Sequence, residues 1–148
     1  MQEIRVWVDR GFGKVFTAMI VFRSFEPADF DSLREFLASN GFGERVSDED
    51  RFRAMIGGAD RTVLAFDNGR LVGFARALCD GASNGYISMV AVAADIRRQG
   101  IGRQLVEHLT IGTGDITWVL RAGRNSRGFW ERLGFVGSDV AMERLRKH

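Results

Sequence analysis

Between Tyr86 and Leu109 the hydrophobic period of the chain changes once, and abruptly. Tyr86 to Val92 is apolar on both sides of its pleat, the pattern of a central strand covered on both faces. Ile101, Leu105, Val106 and Leu109 then follow at helical spacing. The link between them, Ala93 to Gly100, carries the adjacent Arg97 and Arg98 and ends on a glycine. A buried strand running through a short basic turn into an amphipathic helix is a unit of an α/β fold.

The flanking segments agree with that class. Met19 to Phe25 alternates and is bounded by Pro27, so it reads as a strand. Phe30, Leu33 and Leu37, with Phe36 beside them, form a helical stripe opened by Pro27 and ended by Asn40-Gly41. Asp48, Glu49 and Asp50 suit the N-terminus of a second helix carrying Phe52, Met55 and Ile56, with Gly57-Gly58 at its end. Thr62 to Phe66 and Leu71 to Leu78 are strands joined by Asp67-Asn68-Gly69, a hairpin turn whose residues tolerate positive φ. Asp80 to Gly85 turns the chain again, into Tyr86–Val92. After the Ile101 helix, Ile116 to Leu120 reads as a strand, and Phe129, Trp130 and Leu133 mark a helix ended by Gly134. Phe135 to Leu145 then supplies one or two closing strands. Residues 19–148 are thus expected to form one domain. The first 18 residues are either an extra N-terminal strand, since Ile4, Val6 and Val8 alternate with Arg5 and Trp7, or an extension outside the sheet.

Composition excludes several function classes. With 45% apolar and 27% charged residues in 148, the chain is an ordinary globular domain with a core of its own. Lys and Arg total 21 against 19 Asp and Glu, a net charge of +2, so general attraction to nucleic acid or to a membrane surface is not expected. The lone Cys79 allows no internal disulfide, which suits a reducing cytoplasm. One cysteine and two histidines cannot build a usual zinc site, so no metal is expected. No segment reaches the roughly 18 apolar residues of a membrane span, and Val15 to Phe22, followed by Arg23, lacks a secretory cleavage pattern.

The turn itself carries chemistry. Backbone N–H groups at a helix start have no intrahelical partner and carry the positive end of the dipole. Gly100 and Gly102 lack a Cβ, so a phosphate can approach those amides closely. Arg97, Arg98 and Arg103 add charge and bidentate donors. The loop therefore reads as a diphosphate cradle, the bland alternative being a turn whose glycines only relieve crowding. Neither G-x-x-x-x-G-K-[ST] nor the third glycine of the dinucleotide fingerprint is present.

Arg97-Arg98-Gln99-Gly100-Ile101-Gly102 resembles the R/Q-x-x-G-x-G/A signature of the GNAT superfamily of N-acetyltransferases. The ending Phe129-Trp130-Glu131-Arg132-Leu133-Gly134-Phe135 resembles that family's F-Y-E-[KR]-L-G-F motif, and the order of elements from Met19 onward agrees. The resemblance implies a mixed, mostly antiparallel central sheet flanked by helices, with a splayed strand pair forming an acetyl-CoA slot. It implies that the turn from Arg97 and Arg98 through Gln99, Gly100, Ile101, Gly102 and Arg103 holds the pyrophosphate. It implies that Val90, Ala91 and Val92 pair with the pantetheine arm, and that an amide near Val90 or Ala91 polarises the thioester carbonyl. Asn125 lies near a cofactor-contacting asparagine of the family, although the count back from Gly134 falls on Gly123; capping the following helix is its other role. The implied activity is acetyl transfer from acetyl-CoA to a primary amine, on a small molecule or a peptide, directly within a ternary complex. A cytoplasmic protein without nucleic-acid or membrane partners is implied, with a homodimer through a shared C-terminal strand left open.

Two positions depart from the family pattern. Trp130 stands where a tyrosine usually protonates the leaving thiolate, and an indole N–H is only a donor that can wall the slot. Ser88 and Met89 stand where acids often sit midway along the strand. Making an amine of pKa about 10.4 neutral at pH 7 costs about 4.6 kcal/mol, so the missing base is the larger gap. Water, Asp80, Glu44 or an acceptor of low pKa are the candidates to fill it. Tyr86 and Cys79 read as packing residues, and His108 as a solvated one. Glu44, Asp48, Glu49 and Asp50 read as helix capping that could also attract a cationic amine. The rival reading from another class is an acyl-CoA-binding sensor of the same fold without turnover; a nucleic-acid binder using the arginine turn is disfavoured by the low net charge.

Overall fold

The computed structural model describes residues 2–9, 15–123 and 125–147, with side chains described from residue 19 onward. Six strands form one sheet in sequence order: β1 (Gln2–Asp9), β2 (Val15–Arg23), β3 (Arg61–Asp67), β4 (Arg70–Cys79), β5 (Asn84–Val92) and β6 (Thr117–Leu120). Every neighbouring pair is antiparallel except β5 and β6, which run parallel. Residues 2–9 therefore do form a strand, paired along its length with residues 15–22 of β2. The β3–β4 turn is the one its sequence calls for, with Asn68 and Gly69 at φ of +48° and +84°.

Helices cover both faces. On one side α1 (Phe30–Leu37), α2 (Gly43–Val46) and α3 (Glu49–Gly57) bury Leu33, Leu37, Val46 and Phe52 against Leu64, Phe74 and Met89 of the sheet. On the other, α4 (Ile101–Leu109) and α5 (Arg127–Arg132) bury Ile101, Leu105, Leu109 and Trp130 against Ile20, Val63, Ala75 and Ile87. The stripes read from sequence in α1, α3 and α4 are those that are buried. The short α2 follows a π-type turn, Ala38–Phe42, that no hydrophobic period announces.

Two features shape the middle of the sheet. Arg76 pairs with Met89 but Ala77 pairs with Ile87, so Ser88 is the extra residue of a β-bulge. The faces switch across it: Ile87 packs on the α4 side and Met89 on the α1–α3 side. The β5–β6 ladder runs only from Asn84↔Thr117 to Ile87↔Leu120, so β5 continues past the point where β6 leaves it.

The expected closing strands are absent among the described residues: 135–147 contains no strand. Val140 and Ala141 both donate their N–H to Ser138 Oγ, a turn that breaks the extended backbone. Arg121 and Glu143 form an ion pair at 2.8 Å that holds this segment beside the end of β6. Val136, Val140 and Met142 stay exposed.

Candidate active site

The open edge of β5 leads through a short turn into the start of α4. Ala93 donates its N–H to Val72 O at 2.8 Å, so its backbone faces β4, and in antiparallel pairing so does that of Ala91, opposite Phe74. Val90 and Val92 then present their backbone groups to the opposite edge, which β6 has left. Arg97 Nε donates to Val92 O at 3.1 Å, in keeping with that direction. Of the two strand amides that the sequence leaves open, Val90 N–H faces the slot and Ala91 N–H is turned into the ladder.

The turn is built from left-handed backbone. Arg98 has φ +64°, and Gly100, the residue before α4, has φ +81°. For a non-glycine residue that conformation costs about 1–2 kcal/mol, and successive amides in such turns make anion-binding concavities. Gly100 O accepts from Gln104 N, so helical pairing begins there and the first amides of α4 have no partner within the helix. Gln99 Oε1 and Gln104 Oε1 are buried without a hydrogen-bond partner among the described residues.

The glycines and arginines divide their work differently from the sequence expectation. A Cβ on Gly100 would meet nothing within 4 Å, so that glycine serves the backbone angle and leaves open space. A Cβ on Gly102 would lie 3.2 and 3.3 Å from the Phe129 ring, so Gly102 is where α5 closes on α4. Arg103 Nε pairs with Glu107 at 2.7 Å, and Arg97 is tied to Val92 O. Arg98 makes no hydrogen bond or ion pair among the described residues. Ile101 is a core residue, 1% exposed, and contributes only its amide to the turn.

The sequence reading missed the residues at the other end of the slot. Arg76, 7% exposed, donates Nη1 to Ser88 Oγ at 2.8 Å and Nε to Met55 O at 3.0 Å. Arg45, on α2, reaches across to donate Nη2 to Ser88 Oγ at 3.3 Å and Nη1 to Ser88 O at 3.2 Å. Burial pushes both guanidinium pKa values down from their ordinary range. The one signal in the sequence was Arg76 itself, a lone charge inside the apolar run Leu71–Leu78.

A family model described as the acetyltransferase (GNAT) domain matches residues 28–145. The chain belongs to the GNAT acetyltransferase family. No curated protein matches the sequence. Among solved structures, a GNAT-family acetyltransferase from Streptococcus pneumoniae superposes with a TM-score of 0.71 at 18% identity, covering 88% of this chain and 100% of that one. A ribosomal-protein-alanine N-acetyltransferase from Brucella melitensis gives 0.66 at 19% identity over 86% and 99% of the two chains. An aminoglycoside N-acetyltransferase in complex with CoA gives 0.66 at 16% identity over 90% and 98%. At those identities the likeness establishes the GNAT fold, sheet and flanking helices together.

Several side roles are corrected within that GNAT frame. Asp80 accepts hydrogen bonds from the backbone N–H groups of Ala82, Ser83 and Asn84 and from Ser83 Oγ, which hold its carboxyl far below the ordinary range. Its carboxylate fastens the turn before β5. Asp48 caps α3 through Arg51 N, and Glu49 pairs with Arg34 and Arg53, so these two of the four acids are engaged within α1–α3. His108 is stacked on Phe22 at 4.6 Å and burial lowers its pKa, so it is a packed residue and not a solvated one. Asn125, at φ +52° and exposed, precedes the N-cap Ser126 and makes no cap hydrogen bond; Ser126 Oγ donates to Gly123 O instead. Trp130 is 8% exposed, edge-on to Phe129 and Phe135 at 4.9 and 5.3 Å. No helix among the described residues is long and apolar enough to cross a membrane.

Proposed function

We propose that this GNAT protein transfers the acetyl group of acetyl-CoA directly to a primary amine within a ternary complex, as a cytoplasmic enzyme. The observation that carries the reading is the conjunction of two unpaired backbone surfaces: the edge of β5 at Val90 and Val92, and the first amides of α4 behind the left-handed Arg98 and Gly100. The thioester supplies the activated acyl group. In this assignment the α4 amides and Arg98 bind the pyrophosphate, Val90 and Val92 align the pantetheine arm, and Val90 N–H donates to the thioester oxygen. Trp130 packs the wall behind the slot. That an aminoglycoside N-acetyltransferase of this fold is seen with CoA supports the choice of donor.

No acid stands at Ser88 or Met89 to take the amine proton, so the reacting fraction is the acceptor that is already neutral. The acceptor then reacts as the free amine, its proton passing to water. Alignment of amine and thioester supplies the remaining advantage. Calorimetry with CoA and thiol release from acetyl-CoA over a panel of amines test the reading together. Micromolar CoA binding with amine-dependent thiol release is expected, its kcat/KM falling as pH drops. Tight CoA binding with no release on any amine would replace the enzyme with the acyl-CoA sensor.

A further inference from the structure

Arg45 and Arg76 share one hydroxyl. Both donate to Ser88 Oγ, at 3.3 and 2.8 Å. Two donors occupy both lone pairs of that oxygen, so its proton is left to donate outward. Arg76 uses Nε and Nη1 in the bonds to Met55 and Ser88, leaving further N–H groups of its fork unspent. Neither guanidinium has a carboxylate within ion-pair distance among the described residues. Arg146 and Arg121 repel the exposed Arg45, and the buried Arg76 is repelled by Arg45 and attracted more weakly by Asp60. A buried arginine with a cation beside it and no carboxylate in ion-pair contact is costly, and an anion bound there offsets that cost.

The place is set by the bulge. Ser88 is its extra residue, at the point where β6 leaves β5, and it stands two positions before Val90. That is about 6.6 Å along a strand, the distance of a few bonds between an amine at the thioester and a second group on the same molecule. We propose that Arg45, Arg76 and Ser88 form an oxyanion subsite, and that the acceptor is an amine whose own molecule carries a carboxylate or phosphate a few bonds from the nitrogen. This rests on the acetyl-transfer reading for its amine, and on the geometry alone for its anion. The planar forks suit either oxyanion in bidentate fashion. Polycationic amines are excluded by the same charges.

Two measurements separate the anion from the reaction. In the first, CoA-loaded protein is titrated with N-acetyl amino acids and with the matching N-acetyl amino acid amides, which differ only in the carboxylate. At least one acid is expected to bind ten times more tightly than its amide, and Arg45→Gln to erase the difference with CoA affinity unchanged. In the second, thiol release is followed with amino acids, their amides and aminoalkyl phosphates. The oxyanion-bearing amines are expected to be preferred, and Arg45→Gln to raise their KM at least tenfold with kcat changed less. Arg45→Lys should recover part of that loss, since it restores charge without the fork. Arg76 is buried, so Ser88→Ala stands in for it, with a smaller loss in the same direction. Equal binding of every acid and amide pair, or a preference that survives Arg45→Gln, overturns the subsite. Thiol release absent on every acceptor while the acid–amide difference persists overturns acetyl transfer and leaves the oxyanion subsite standing.

Discussion

Gly100 and Gly102 are two positions apart and are glycine for different physical reasons. Gly100 is required by its φ of +81°, with open space where a side chain would go; Gly102 is required by the Phe129 ring 3.2 Å from where its Cβ would be. Gly100→Ala should therefore cost about 1 kcal/mol through its backbone whatever residue 129 is. Gly102→Ala should cost about 1–3 kcal/mol by overpacking, and Phe129→Leu in the same chain should recover part of it. A double-mutant cycle by urea unfolding reads the coupling; strict additivity would show that the Phe129 ring does not set the cost. The turn was legible in the sequence because glycine and arginine placement is itself the signal. Arg45 was not, and Arg76 showed only as a lone charge in an apolar run, because what marks the pair is their meeting at Ser88. Their convergence on Ser88 depends on a one-residue bulge and on a helix that follows a π-type turn, and neither leaves a hydrophobic period to read.

At the scale of elements, the entry to α1 shows how side chains fix a strand-to-helix corner. Arg23 grips Asp29 with both arms, at 2.7 and 2.8 Å, and Asp29 also accepts from Glu26 N–H at 2.8 Å. These bonds end β2 at Arg23, two residues short of the Phe25 read from the alternation. They also hold the Asp29 carboxyl below its ordinary 3.8, chiefly through the Arg23 bond and against the effect of burial. The unfolded chain therefore binds more protons than the folded one as pH falls past 3.8, and the stabilisation is present above that pH and lost through the lower folded value. Asp29→Asn should lower stability by about 1–2 kcal/mol at pH 7, and the gap to the parent protein should narrow between pH 5 and 2. Urea titrations across that range check it; a constant gap would mean the carboxylate charge contributes nothing. Elements with a strong period, α1, α4, β3 and β4, were legible to within a residue or two. The C-terminal segment was not, because its apolar residues alternate like a strand while Ser138 locally captures the backbone.

At the scale of the molecule the sheet separates stability from chemistry. The slot lies along β5 and β6, whereas β1 and β2 form the far edge, with β3 and β4 between. β2 meets β3 only from Ile20 to Arg23; the rest of it, residues 15–19, pairs with β1 alone as a two-stranded ribbon. Such ribbons are marginal by themselves. Among the described side chains of β2, Ile20 and Phe22 enter the core, at 0% and 2% exposure, and both lie after Met19. A chain beginning at Met19 therefore keeps both helical layers, these two core side chains and every residue assigned to the slot. It loses a strand partner at the edge remote from the ligand. Cooperative unfolding at a lower Tm is expected, with CoA affinity within about twofold of the parent, since β1 and the start of β2 pair at the edge of the sheet remote from β5. Calorimetry and thermal melts on the shortened chain read both quantities. An insoluble product, or one that folds without binding CoA, would show that the ribbon belongs to the cooperative unit that positions β5, and that the two edges of the sheet are coupled through β3 and β4.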